Sequence, residues 1–282
     1  YSQTGGIYKG RLDALSNVWS FVEHSTAKYV IMANCDVVTT IDFNPVLNQH
    51  MESGADITLI YSKGYYDSEK NSCATILEFD ENNHLKDVLV DPQISGECNM
   101  WLEMFIISRD FLKKIVFEAA SRNQSSFTRE ILQGKKDEYK IMGYEHKGIF
   151  TRIDSVQSYY NANQMLLETE KRNALFVKNM PIYTKIGDNG PVKYGLDSSI
   201  KNSLIADGCV IEGTVENSIL FRGVKVGKGT VVKNCVLLQG TKVGSNCSIS
   251  YVITDKNVEV SNDKVLTGSE TYPLYIGKEG KI

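Results

Sequence analysis

No stretch of this chain approaches the roughly 20 consecutive apolar residues that a bilayer-spanning helix needs. No basic–apolar–small signal pattern opens it either. Charge of one sign is not in excess: 31 Lys and Arg face 34 Asp and Glu, for a net charge of −3 and a pI near 5.9. That balance leaves no electrostatic footprint for nucleic acid or an anionic membrane. The six cysteines (Cys35, Cys73, Cys98, Cys209, Cys235 and Cys247) form no CxxC pair. Neither a zinc site nor a disulfide framework is expected, and the usage suits a reducing cytoplasm. Histidine is scarce, and none of the four (His24, His50, His84, His146) lies in the last third of the chain. There is no initiator Met; Tyr1 opens the sequence, and an amino-terminal part is expected to be absent.

At 282 residues and 42% hydrophobic content, the chain is long enough for one large or two ordinary domains. Its organising stretch is Lys28–Val38, KYVIMANCDVV. The apolar run from Tyr29 to Ala33 predicts a strand buried on both faces of a parallel sheet. Asp36 falls just beyond the carboxyl end of that strand, where open α/β sheets place ligands. A carboxylate there can hold a divalent cation against a phosphate, or simply cap the next helix. Leu12, Leu15, Val18, Trp19 and Val22 predict an amphipathic helix over 12–24. It follows a glycine-bearing loop, Gly5–Gly10, able to approach a phosphate closely. A helix near Phe43–Met51 and a strand over Asp56–Ser62 complete a βαβ unit.

Short strands at Ala74–Phe79 and His84–Val90, joined by DENN, predict a hairpin inserted into that scheme. A strand over Asn99–Ile107, a helix over Arg109–Ala120, a short helix at Phe127–Leu132 and a strand at Tyr139–Tyr144 follow. Asp154, with Gln157 three residues on, predicts the N-cap of a helix to Lys171. Its expected inner face is Val156, Tyr159, Tyr160, Ala162, Asn163, Leu166 and Leu167.

The domain plan is thus an α/β domain over 1–171, a glycine- and proline-bearing linker over 172–198, and a repeat domain over 199–282. In the repeats, Val224-Lys-Val226-Gly227, Thr241-Lys-Val243-Gly244 and Val258-Glu-Val260-Ser261 stand 17 residues apart. A near-18 period of short valine-rich strands with glycine or asparagine corners predicts a three-sided parallel β-helix. The tail Tyr272–Ile282 is expected to close the last coil. Lys225 and Lys242 should stack one coil apart, as a solvated face or, with Arg222, an anion site.

The combination of a Rossmann-like α/β domain, hairpin insert and left-handed β-helix resembles the ADP-glucose pyrophosphorylase (glucose-1-phosphate adenylyltransferase) family. GIYKGRLDA (Gly6–Ala14) is similar to the family's W-Y-x-G-T-A-D-A, and YVIMANCDVV to its V-V-I-L-x-G-D-H strand. SYYNANQMLL (Ser158–Leu167) is similar to its A-Y-W-x-A-N-x-x-L helix. NSLIADGCVIEG (Asn202–Gly213) is similar to the opening of its β-helix. The resemblance implies transfer of a nucleotide from ATP to glucose 1-phosphate, giving ADP-glucose and pyrophosphate for glycogen, with Mg²⁺ as cofactor. Such chemistry asks the protein for positioning and charge around phosphates.

Against that pattern, Asp36 matches the family's metal aspartate, and Gly10 and Asp13 are retained as nucleotide- or sugar-binding positions. The Thr-Ala between them is Arg11-Leu12 here. The second metal carboxylate of the family falls on Arg152, with Asp154 two residues away. The sugar-phosphate lysine of a V-E-K-P motif falls on Asp91. The S-M-G turn reads Trp101-Leu102-Glu103, bulk and charge where glycine belongs. Phe127 keeps the family's aromatic, but Ser126 replaces the aspartate before it.

This pattern resembles the non-catalytic second subunit of some Gram-positive bacteria. It implies a catalytic homologue as partner in a hetero-oligomer, expected as a tetramer, with a vestigial metal site and at most residual binding of ATP or sugar phosphate. Two other readings stand beside it: an active sugar nucleotidyltransferase with a changed substrate, and a structural or assembly module. A hexapeptide acyltransferase is excluded by the absence of histidine from the repeats.

Overall fold

The computed structural model describes residues 8–69 and 74–282. Gly5–Ile7 of the predicted loop, and Cys73, lie outside them. By contacts the chain forms two compact units. One runs to Gly148 without Val38–Thr40; the other takes those three residues and everything from Ile149.

The first unit contains, in order, α1 (Arg11–Asn17), α2 (Trp19–Glu23), β1 (Tyr29–Met32), α3 (Phe43–Ser53), β3 (Ile57–Asp67) and β4 (Thr75–Phe79), while β2 (Val37–Thr39) falls mostly in the second. Then come β5 (Leu85–Val90), β6 (Ser95–Ser108), α4 (Arg109–Ser121), a π-helical turn (Thr128–Gln133) and β7 (Ile141–Glu145). The sheet order is β5-β4-β6-β3-β7, with β1 also on β6, a Rossmann-like mixed sheet. β3 runs parallel to β7 and antiparallel to β6.

The expected helix over 12–24 is broken at Val18. Ser16 Oγ and Asn17 Nδ2 both donate to the Asp13 carbonyl, each at 2.8 Å, and so compete with the helix ladder. The organising stretch also differs from expectation. It forms two strands, β1 and β2, and β1 pairs antiparallel with β6. Ile31 is 45% exposed, so β1 is not buried on both faces. The reason is the hairpin: β4 and β5 reverse the chain, and β6 returns between β1 and β3.

The hairpin turn holds as read, with the Asp80 carboxylate accepting from Asn82 N and His84 N at 2.8 and 2.9 Å. α3 and α4 start on Asp42 and Ser108 caps, whose side chains accept from Asn44 N and Phe111 N. The core gathers Leu12, Leu59, Trp101, Phe105, Leu112 and Phe127 among others, with Phe105 stacked on Phe127 at 4.4 Å. His146 is buried, and its backbone N–H donates to the Tyr61 carbonyl at 2.7 Å.

The second unit opens with β8 (Phe150–Arg152), which pairs with β2. α5 (Val156–Met165) and α6 (Thr169–Leu175) replace the single helix expected to Lys171. Ser155, not Asp154, is the N-cap: its Oγ accepts from Ser158 N at 3.0 Å, and Ser158 Oγ accepts from Ser155 N at 2.9 Å. Of the predicted inner face, Tyr160, Ala162 and Asn163 are buried, while Val156 is 47% exposed. Tyr160 packs with Val236 and Ile253 and donates its hydroxyl to the Asn234 carbonyl at 3.0 Å. That contact is why α5 groups with the repeats, and the units divide at 148/149 rather than at 171.

From Lys193 the chain winds into a left-handed parallel β-helix with three five-stranded faces, so the expected linker ends short of 198. The first coil step is 15 residues (Ser199 to Thr214) and the next three are 17 (to Val231, Ser248 and Val265). Most inward positions carry Val, Ile, Leu or Cys. Buried hydroxyls stitch coils together: Thr230 Oγ1 donates to the Gly244 carbonyl and accepts from Cys247 N. One corner needs a left-handed residue in every coil, filled by Asn202, Asn217, Asn234 and Tyr251 at φ +43° to +53°. Asparagine tolerates that region; tyrosine there costs roughly 1–2 kcal/mol. The tail adds Leu274–Ile276 to one face beside Val252–Thr254, and so covers the last coil as expected. No helix among the described residues is long and apolar enough to cross a membrane.

Candidate functional site

At the carboxyl end of β1 the chain turns through residues 33–36 and brings Asn34 and Asp36 to the sheet end. Opposite them, the β3–β6 pairing slips between Ile60 and Tyr61: Ile60 faces Met104 and Tyr61 faces Trp101. Leu102 and Glu103 are the surplus residues, a β-bulge that re-aims the strand. Glu103 sits at φ +57°. The backbone therefore keeps the left-handed shape expected of a glycine turn, with a carboxylate mounted on it.

Arg11, at the start of α1, reaches that carboxylate. Its Nη2 lies 2.6 Å from Glu103 Oε2 and 2.7 Å from Asn34 Oδ1. Asn34 Nδ2 closes the triangle to Glu103 at 3.4 Å. The guanidinium also lies over the Trp101 ring at 5.5 Å and near Phe105 at 6.0 Å. Trp101 is 1% exposed and donates its indole N–H to the Met104 carbonyl at 3.1 Å. The pair itself is mostly covered, with side chains 22% and 14% exposed. Chemically the cluster is self-neutralised: its cation is already held by its own anion.

Gly10 has a structural account. A Cβ there would stand 2.4 Å from the Ser125 carbonyl oxygen, which accepts from Leu12 N at 3.0 Å. Asp13 accepts from the Lys9 backbone N–H at 3.0 Å and so fastens the loop before α1. Asp13 borders a cavity of about 140 Å³ together with Asn123 and Ser125. Asp91 follows edge strand β5, exposed, at φ +48°, with its N–H on the Ala74 carbonyl. Arg152 ends β8, in the second unit, and is half-buried.

The donor set does not fit Mg²⁺ well. The ion takes oxygen ligands, commonly one or two carboxylates plus phosphates. Of the two carboxylates that the resemblance implies, Asp36 is present, and the position of the second carries Arg152. Among the described residues no three His, Cys, Asp or Glu side chains gather as a metal-binding group. On the β-helix, Lys225 and Lys242 do stack in register, but Lys242 is held by Glu259 at 2.7 Å. Lys242 and Lys281 hold the Glu259 carboxyl below the usual carboxylate range. Arg222 is occupied by Asp207 at 3.4 Å. The solvated-face reading fits these pairs.

Asn34 was not singled out from the sequence, nor was Phe105. The available signal was the appearance of opposite charges, Arg11 and Glu103, at two positions where the related motifs carry neutral residues.

Residues 192–271 match the family described as GlmU-like, C-terminal hexapeptide. The glycogen biosynthesis protein GlgD of Bacillus subtilis (strain 168) is 34% identical over 269 residues, covering 95% of this chain and 68% of that protein. GlgD of Geobacillus stearothermophilus is 34% identical over 208 residues, covering 74% of this chain and 50% of that protein. A glucose-1-phosphate adenylyltransferase of Mycoplasma mobile is 28% identical over 232 residues, covering 81% of this chain and 60% of the enzyme. This chain thus spans between half and about two thirds of the length of these relatives. With that identity over that length, and with both architectural halves in order, the chain belongs to the ADP-glucose pyrophosphorylase-like family that includes GlgD.

Proposed function

We propose that this chain serves glycogen biosynthesis as a subunit of a glucose-1-phosphate adenylyltransferase, impaired in catalysis and modulating a catalytic homologue. The observation that carries this is the Arg11–Glu103 ion pair at 2.6 Å. It fills, with mutually satisfied charges, the turn where the related motif S-M-G leaves the backbone open to a sugar. Asp91 adds to it. A carboxylate facing a phosphate at about 4 Å turns an attraction of about 4 kcal/mol into a repulsion, at an effective dielectric near 20. The second carboxylate that the resemblance implies is an arginine, Arg152, in this sequence, so Mg²⁺ would have Asp36 as its one carboxylate ligand and bind weakly. A hetero-oligomer in the cytoplasm with the catalytic homologue goes with this reading.

The test is an assay of ADP-glucose formation from ATP and glucose 1-phosphate, with this protein alone and mixed with the catalytic homologue. The expected result is no turnover alone, and a changed activation or substrate affinity in the mixture. Turnover by the chain alone, with any sugar phosphate, overturns the reading. So does failure of the two proteins to associate.

A further inference from the structure

The second unit contains a cavity of about 470 Å³ between α5 and the β-helix corner built from Asn202, Asn217, Asn234 and Tyr251. That volume lies within the roughly 300–1,000 Å³ of small-molecule sites. No Lys, Arg or His lines it. A phosphate or carboxylate ligand would meet Glu270 and Glu168, whose carboxylate already holds Lys171 at 2.9 Å. What the walls offer instead is amide groups with unused hydrogen-bonding capacity.

Asn202 Nδ2 donates to Asn217 Oδ1 at 2.8 Å, which leaves the Asn217 amide N–H groups unspent. Asn234 gives only its backbone carbonyl, to the Tyr160 hydroxyl. Its side-chain amide makes no hydrogen bond among the described residues. Gln164, on α5, lines the cavity, and its Nε2 is closed off from solvent with no hydrogen-bond partner among the described residues. A donor sealed in that way is costly, and turning the Gln164 amide toward the cavity would give it a partner there.

Two aromatic rings complete the wall. Tyr160 and Tyr251 lie 6.4 Å apart, inclined at 51°. Tyr251 holds a left-handed backbone conformation that the asparagines at the same corner adopt more easily, which places an aromatic face where the amide ladder would otherwise continue. Amides that both donate and accept, carboxylates that accept, and flat apolar faces together match a ligand rich in hydroxyls and free of charge. We infer that the cavity between α5 and this β-helix corner binds a neutral polyhydroxylated molecule, a sugar or short saccharide. This inference is independent of the proposed catalytic impairment.

The test is isothermal titration of the full chain with maltotriose, with glucose 1-phosphate as anionic and spermidine as cationic comparison. Maltotriose is expected to bind saturably. Gln164→Leu and Asn234→Gly, the latter keeping the left-handed corner accessible, are expected to weaken it roughly tenfold or more. Lys225→Glu, on another face, is expected to leave it unchanged. Side-chain amide NMR signals of the unmodified protein provide a readout that does not depend on any variant folding: maltotriose should shift those of Gln164 and Asn234. Absence of saturable saccharide binding, tighter binding of either charged comparison, or unshifted amide signals would overturn the inference.

Discussion

Arg11 and Glu103, 92 residues apart in the chain, meet at 2.6 Å and share Asn34 as a third partner. Each departs from the related motifs, and each makes sense only beside the other. Glu103 occupies a left-handed bulge position, and Arg11 Nη1 is buried without a hydrogen-bond partner among the described residues. Both features carry a cost that the ion pair offsets in part.

Removing one partner should therefore be worse than removing both. Glu103→Ala is expected to destabilise the first unit by about 2 kcal/mol, because it strands a covered guanidinium. Arg11→Met with Glu103→Ala removes both charges and their desolvation together, and is expected to be more stable than either single variant. Urea unfolding of the four proteins gives the coupling directly.

Gly10 and Gly54 should respond differently to alanine. At Gly10 the new Cβ meets Ser125 backbone at 2.4 Å, so the loop or α1 must shift, at a cost of about 1–3 kcal/mol. Gly54 has open space around it and only its φ of +60° to object, so about 1 kcal/mol is expected. Thermal melts of the two variants should rank in that order.

The β-helix should lose stability in alkali. Burial pushes the Cys235 thiol up to about 12 and moves Cys209 and Tyr160 in the same direction. A thiol whose folded value is raised stabilises fully below its unfolded value near 9 and loses that contribution as pH climbs toward 12. For Cys235 the expected slope is about 1.4 kcal/mol per pH unit above 9. Native-state alkylation should accordingly reach exposed Cys35 first and leave Cys209, Cys235 and Cys247 unmodified until unfolding, as read by peptide mapping.

Asp91→Lys places a cation where the related motif has one. Affinity for glucose 1-phosphate is expected to rise at least roughly tenfold by calorimetry, without restoring turnover, because Glu103 and Arg152 remain. Recovery of turnover by this single change would assign the impairment to Asp91 alone.

The sequence alone determined the β-helix, because one inward aliphatic side chain per face repeats at short range and each strand pairs with the copy 15 or 17 residues away. It also determined the hairpin, since Asp80 and Asn83 carry the turn within their own tetrad. Other features depend on partners distant in the chain, which no local pattern encodes. β1 acquires an antiparallel neighbour because β6 returns between it and β3. α5 has an amphipathic face whose partner the local pattern does not name, and Tyr160 seated against Val236 and Ile253 assigns it to the repeats. The charges of Arg11 and Glu103 were legible as two departures; that they cancel each other was decided by the bulge that aims Glu103 at α1.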